Sequence, residues 1–313
     1  MKIIHSLLDI PQENGQYPEI GLTIGNFDGV HLGHIELLTK IRSECKNRNI
    51  FFVVLTFIPH PQKIIQPDKE RFLISSYDHR RSLLKDAGVD FLIEMNFTRD
   101  FSTLAADEFL KSHLLSYPSL KHFYLGYDFA FGANKQGGFD LVKNLCLPQN
   151  IQVEVQPKFQ KGDQVISSSF IRDLIQKGSV DDATRYLNRS FQLEGVVVKG
   201  EGRGKKIGFP TANIQCSSDL IIPQNGVYVT KTHYNGMIYQ SVTNIGHNPT
   251  FKDTKLIHVE TNIFDFNLDI YGEKLEIEFL YKIRDEKKFT TVNDLIDQIR
   301  ADVDFAKKRL GRE

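Results

Sequence analysis

At 313 residues the chain is long for one hydrophobic core and comfortable for two domains. Apolar and charged shares of 41% and 25% are those of an ordinary globular protein, and a formal net charge of zero excludes a global field drawing it to nucleic acid or an acidic membrane. No apolar stretch of about 18 residues would span a bilayer, the apolar run at the start is too short for a signal peptide, and the three scattered cysteines form no paired motif; all this points to a soluble cytoplasmic protein with reduced thiols.

The first predicted strand, residues 20–24, runs into Gly25-Asn26-Phe27-Asp28-Gly29-Val30-His31-Leu32-Gly33-His34. A helical pattern follows, with Ile35, Leu38, Ile41 and Cys45 at one-turn spacing. A strand turning into a helix start offers unpaired backbone N–H groups and the positive end of the helix dipole to an anion. His31 and His34, three apart, would point into the same space and suit a phosphate. A zinc pair would need further ligands, and no cysteine lies near in sequence; two capping histidines are the remaining alternative. The spacing matches neither a dinucleotide fingerprint nor a P-loop, and the His-x-Gly-His form resembles the nucleotidyltransferase superfamily.

Residues 50–57 are a continuous apolar run, as expected of a parallel strand buried on both faces, ending at Ile58-Pro59-His60-Pro61. Helical patterns over 77–87 and 105–115 alternate with strand patterns over 91–95, 122–125 and 153–155. This rhythm predicts an open, doubly wound parallel sheet with ligands outside the carboxyl ends of its strands. Gly126-Tyr127-Asp128-Phe129-Ala130-Phe131-Gly132 falls at such an end, though a glycine-rich surface loop is the plain alternative. Ser167, Ser168 and Ser169 precede a helical run with Arg172 in its first turn, which is capping material and also suits a polyphosphate.

After Arg189 the character changes to short strands with turn signals, predicting a small antiparallel barrel closed by a helix through Val292, Leu295, Ile299, Val303, Ala306 and Leu310. The boundary is expected near 188, giving domains 1–188 and 189–313. Gly200-Glu201-Gly202-Arg203-Gly204-Lys205-Lys206-Ile207-Gly208 could surround phosphates, against the plainer reading of a solvated hairpin tip. Thr211 and Asn213, two apart in an extended segment, offer neutral oxygens suited to Mg²⁺ already held by phosphates. Residues 258–263 alternate, placing His258, Glu260 and Asn262 on one face; Glu260 is a candidate general base for an alcohol, with a solvent-facing polar stripe as the alternative.

Together these motifs resemble the bifunctional prokaryotic riboflavin kinase/FMN adenylyltransferase family, the FAD synthetases, over nearly the whole chain. Gly25 to His34, Phe57 to Pro61, Gly126 to Gly132 and Ser167 to Arg172 resemble the adenylyltransferase motifs. Gly208-Phe209-Pro210-Thr211-Ala212-Asn213, Asn244 to Phe251, Asp265-Phe266-x-x-Asp269-x-Tyr271-Gly272 and Arg284 to Phe289 resemble those of the kinase. The resemblance implies an N-terminal Rossmann-like nucleotidyltransferase domain, a C-terminal riboflavin kinase barrel, and the substrates riboflavin, FMN and ATP, the last with Mg²⁺. It implies Glu260 as kinase base and Thr211 and Asn213 as metal ligands. Gly200, Gly202, Lys205 and Gly208 would contact phosphates there. At the adenylyl site, Gly25, Asn26, Phe27, Asp28, Gly33, Ser168 and Ser169 would bind nucleotide, while His31, His34 and Arg172 act in catalysis. His60, Asp128, Asn244 and Arg284 would meet the flavin. Nothing suggests nucleic-acid or membrane binding, and no protein partner is indicated.

Two departures stand out. Ala130 replaces a larger polar or basic residue, and Asp78-His79-Arg80-Arg81 replaces a Glu-Lys pair, the latter expected to matter little. Rival readings are a chain with one activity retained, a non-catalytic flavin or nucleotide binding module, and an NAD-dependent oxidoreductase. The presence of His31, His34 and Glu260 speaks against the second, and the missing G-x-G-x-x-G against the third.

Overall fold

The computed structural model describes residues 1–127, 129–162, 164–200, 202–247 and 257–311. Two compact units emerge, residues 1–69 with 77–167, and residues 70–76 with 168–313.

The first unit is built on a six-stranded parallel sheet ordered β1-β4-β3-β2-β5-β6, from β1 (Lys2–Ile4), β2 (Ile20–Ile24), β3 (Phe51–Ile58), β4 (Phe91–Asn96), β5 (Leu120–Leu125) and β6 (Gln152–Val155). Helices α1 (Leu32–Arg48), α2 (Pro61–Ile65), α3 (Tyr77–Asp86), α4 (Arg99–Ser102), α5 (Ala106–Phe109) and α6 (Phe139–Cys146) connect the strands, and α5 continues as a π-helical turn, Leu110–Leu114. The apolar run of β3 is explained by two cores: Val53 and Leu55 pack with Ile93, Phe123 and Leu110 on one face, Phe52 and Val54 with Leu38, Ile41, Leu84 and Leu92 on the other. Successive strand residues point to opposite faces, so a sheet covered on both sides needs no polar alternation.

From β2 the chain proceeds outward through β3 to β4, whereas β5 and β6 lie on the other flank of β2. The order therefore reverses between β2 and β5, the crevice where such sheets bind ligands. The loop after β2 contains Gly25 to His31, and that after β5 begins at Gly126. Strand β1, not anticipated from the sequence, pairs with β4 at the far edge. A two-residue-per-strand hairpin, β7 (Gln160–Lys161) and β8 (Gln164–Val165), ends the unit.

In the second unit, helices α7 (Ser168–Gln176) and α8 (Val180–Leu187) precede a closed antiparallel barrel ordered β10-β13-β12-β11-β14-β9. Its strands are β9 (Phe191–Val198), β10 (Ala212–Cys216), β11 (Gly226–Tyr234), β12 (Met237–His247), β13 (Ile257–Ile263) and β14 (Lys274–Arg284), with the short α9 (Arg203–Lys206) between β9 and β10. The amphipathic α10 (Val292–Leu310) starts where Thr291 accepts the Asp294 amide at 3.1 Å and lays Val303, Ala306 and Leu310 on Val227, Val229 and Val242. Those valines mark the outer wall. The opposite, inward face carries Thr230, Thr232, Ser241, Thr243 and Thr261, all fully buried. The compact division thus falls before α7, ahead of the change in sequence character near residue 188. Among the described residues no helix is long and apolar enough to cross a membrane.

Candidate active sites

The loop after β2 is the more constrained of the two candidate centres. Gly25 N–H donates to the Leu55 carbonyl at 3.0 Å, and Val30 N–H to the Phe27 carbonyl at 3.2 Å. Phe27 (φ 47°), Gly29 (φ 77°) and Val30 (φ 36°) all adopt left-handed backbone. For the β-branched Val30 that conformation is strained, at a cost of about 1–3 kcal/mol, and such strain persists only where its surroundings enforce it. His31 sits at the N-cap of α1 rather than within it, its Nδ1 accepting the His34 amide at 3.4 Å. The rings of His31 and His34 stack at 3.7 Å between centroids, and Phe27 meets His34 edge-on at 5.1 Å. The two histidines do share one space, as their spacing suggested, and capping is part of what His31 does. No group of three or more His, Cys, Asp or Glu side chains that could hold a metal ion occurs among the described residues.

The helix that departs from the family pattern is joined to this loop. Arg80 is 1% exposed, and its Nη1 donates to the Asn26 carbonyl at 3.0 Å, which also receives the Thr56 hydroxyl at 3.5 Å. Burial pulls the Arg80 pKa below the ordinary arginine value, with Glu94 and Asp28 pulling the other way. Its neighbour Arg81 grips the buried Glu94 through two bonds, 2.8 and 2.6 Å, which raise the Arg81 pKa. The departure expected to matter little therefore puts a cation under the loop. A signal was available: Arg80 lies three residues after Tyr77 and four before the buried Leu84, on the inward stripe of α3.

His60 is 4% exposed and caps α2, its Nδ1 accepting the Gln62 amide at 3.1 Å. Beyond β5, Phe129 and Phe131 pack 4.9 Å apart and continue an aromatic chain through Phe109, Phe101 and Phe57. Asp128 lies outside the described residues. In the second unit, Ser168 and Ser169 open α7, and Arg172 Nε donates to the Phe72 carbonyl at 2.6 Å.

The barrel assembles the other centre by register. Asn213 lies directly opposite Glu260, and Glu260 directly opposite Asn244. Asn244 in turn opposes Val227, which opposes Arg284. Directly opposed residues share a face, so Asn213, Glu260, Asn244 and Arg284 form one row on the outer wall. The glycine loop folds onto the start of this row. Gly200 approaches so closely that a Cβ there would collide with the Asn213 amide, and a Cβ on Gly204 would strike the Phe209 carbonyl and lie 3.3 Å from the Thr211 hydroxyl. Gly202 and Gly208, both at positive φ, flank α9, which exposes Lys205. Thr211 and Asn213 thus present neutral oxygens beneath a cradle no larger residue could form, a donor set that fits Mg²⁺ bound through phosphates. Arg284 is held by Asp302 of α10 through bonds of 3.1, 3.1 and 2.8 Å. Glu201 and the 248–251 part of the kinase motif lie outside the described residues. The cysteines are unpaired, and burial pushes the Cys45 and Cys216 thiols up to about 12 and Cys146 to about 11, so none is poised as a nucleophile.

Two family models match the chain, one over each half. A riboflavin kinase family model matches residues 187–310, and an FAD synthetase model residues 14–170. The bifunctional riboflavin kinase/FMN adenylyltransferase of Haemophilus influenzae is 35% identical over 91% of this chain and 92% of its own length. The Bacillus subtilis enzyme of that name is 33% identical over 90% and 89%, and that of Escherichia coli K12 32% identical over 98% and 96%. A solved Streptococcus pneumoniae structure described as a macrolide-efflux protein shares the fold at TM-score 0.83 and 32% identity, over 97% of this chain and 98% of that one. The activity in that description is attached to that protein alone.

Proposed function

The chain belongs to the bifunctional riboflavin kinase/FMN adenylyltransferase family, and from that premise we infer that its two reactions are divided between an N-terminal and a C-terminal domain. It phosphorylates riboflavin with ATP to FMN, then adenylylates FMN to FAD with release of pyrophosphate. We assign adenylyl transfer to residues 1–188 and the kinase to 189–313, a boundary supported by family models that end at 170 and begin at 187. ATP dependence and reduced thiols favour the cytoplasm as its compartment.

In the kinase, the ribityl 5′-hydroxyl passes its proton to Glu260 as its oxygen bonds the γ-phosphorus, and ADP departs with the electrons of the broken P–O bond. Gly200, Gly202, Lys205 and Gly208 bind the phosphates. Thr211 and Asn213 would hold Mg²⁺, which when bound neutralises charge on the transferring group. Asn244 contacts the flavin, and Arg284, fixed by Asp302, shapes its far end. In the adenylyltransferase, the FMN phosphate attacks the α-phosphorus; with a second pKa of about 6 it is already largely ionised and needs no base. Gly25, Asn26, Phe27, Asp28 and Gly33 bind ATP, while His31 and His34 stabilise the charge that develops. Ser168, Ser169 and Arg172 take the leaving pyrophosphate and His60 and Asp128 the flavin, roles that rest on the family pattern.

The observation that carries this reading is the row Asn213, Glu260, Asn244 beneath the glycine loop. Glu260→Gln should slow FMN formation by ~10²–10⁴ while leaving FAD formation from supplied FMN unchanged. His34→Ala should do the reverse, by about 10²–10³. Chromatographic separation of the flavins reads both. Loss of FAD formation in Glu260→Gln, or of riboflavin phosphorylation in His34→Ala, would overturn the division.

A further inference from the structure

Helix α3 opens with two side chains that reach both motif loops of the first unit. Tyr77 and Arg80, three residues apart, lie on one face of its first turn. The Tyr77 hydroxyl accepts the His60 amide at 2.8 Å, and the Arg80 guanidinium lies 5.0 Å from the centre of the Tyr77 ring. From there Arg80 Nη1 donates to the Asn26 carbonyl at 3.0 Å. Its Nε and Nη2 are buried with no hydrogen-bond partner among the described residues. One hydrogen bond, the Tyr77 ring and the nearby carboxylates of Glu94 and Asp28 offset part of the desolvation cost of a guanidinium at almost no exposure, and two of its nitrogens are left without a bond.

What Arg80 grips is the residue just before the strained stretch. Beyond Asn26 the chain enters left-handed backbone at Phe27 and again at Val30, and then delivers His31 to the cap of α1. A strained loop keeps its shape only if its ends are held. Here the Asn26 carbonyl is held by Arg80 and Thr56, both donors from within the protein. The same guanidinium adds positive charge beneath that anion site.

We infer that Arg80 is a positioning residue for adenylyl transfer, clamping the Asn26 carbonyl so that the Gly25–His34 loop and its two histidines are set for the α-phosphate before ATP arrives. The inference rests on assigning adenylyl transfer to that loop. It concerns the residue's action through the loop and requires no contact with substrate.

The test uses the full chain and three variants, Arg80→Met, Arg80→Lys and His34→Ala, with FAD formation from FMN and riboflavin phosphorylation measured on each preparation. Misplacing a reacting group by about 1 Å can cost on the order of 10²-fold, so Arg80→Met should lower kcat for FAD formation tenfold or more, with KM for ATP changed far less. Its riboflavin phosphorylation should match wild type. Arg80→Lys, which keeps a charge and a donor, should recover most of the loss, a rescue that mere packing would not produce. Circular dichroism checks folding, and Arg80→Gln replaces the methionine variant if that one does not fold. The inference is overturned if the neutral variant stays within twofold of wild type in FAD formation, or if lysine recovers none of the loss. His34→Ala separates the two levels. Undiminished FAD formation in that variant removes the site assignment itself, whereas its collapse beside a fully active Arg80→Met removes only the clamp.

Discussion

On the outer wall of the barrel, Glu276 carries a charge that its surroundings oppose. It lies directly between His233 and Glu194 in register. Burial raises its pKa, and Glu194 and Glu278 add to the shift against the pull of His233 and Lys274. A carboxylate whose folded pKa lies above its unfolded value weakens the fold above the folded pKa, and that penalty fades as pH falls toward the unfolded value, about 4.3. Glu276→Gln should therefore raise the thermal midpoint of the kinase unit at pH 7–8, with the gain vanishing near pH ~4. Thermal unfolding across that range checks it, and a midpoint lowered at neutral pH would show that the charge is satisfied after all. Glu260, on the same wall, differs in being aligned with two amide side chains and the glycine loop, which is what separates a candidate base from a merely awkward carboxylate.

At the scale of elements, the inward face of the barrel is pinned by a chain of hydroxyls. Thr230 bonds Ser241 at 2.8 Å and Thr243 at 2.9 Å, Thr232 bonds Ser241 at 2.9 Å, and Thr243 bonds Thr261 at 2.9 Å. A slip of one residue between β11 and β12 would set these groups against valines and turn the chain outward. It would also break the row of Asn213, Glu260 and Asn244, so the buried hydroxyls protect the register on which the kinase site depends. Thr243→Val should destabilise the barrel by ~1–3 kcal/mol, because partners on two strands lose a bond. Adding Thr261→Val should cost little more, since the orphaned hydroxyl is then gone as well. Denaturant unfolding followed by kinase activity measures both variants; simple additivity of the two substitutions would show that the hydroxyls do not act as a chain.

For the whole molecule, the division of labour predicts complementation. Glu260→Gln retains the proposed adenylyl site and His34→Ala the proposed kinase site, and FMN is the product of one reaction and the substrate of the other. A mixture of the two variants should convert riboflavin and ATP to FAD, although neither does so efficiently alone. FAD formation that fails in the mixture yet proceeds when FMN is supplied would mean that the intermediate is not passed through solution.

Much of this was legible in the sequence, for a physical reason that differs by element. The strand–loop–helix around Gly25 to His34, the doubly covered β3 and the capped α10 are written in neighbours a few residues apart, where periodicity and cap chemistry act directly. Strand β1, only three residues long, is too short to show a period and exists because β4 offers it an edge. The alignment of Asn213, Glu260 and Asn244 belongs to no segment; closure of the barrel sets it, since each strand's register depends on its partners. Arg80 makes the same point from the other side. Its spacing from Tyr77 and Leu84 points it inward although its residue type suggests a solvated surface, but its partner, the Asn26 carbonyl, is set only by the packing of α3 against the sheet, because a contact 54 residues away cannot be read from local spacing.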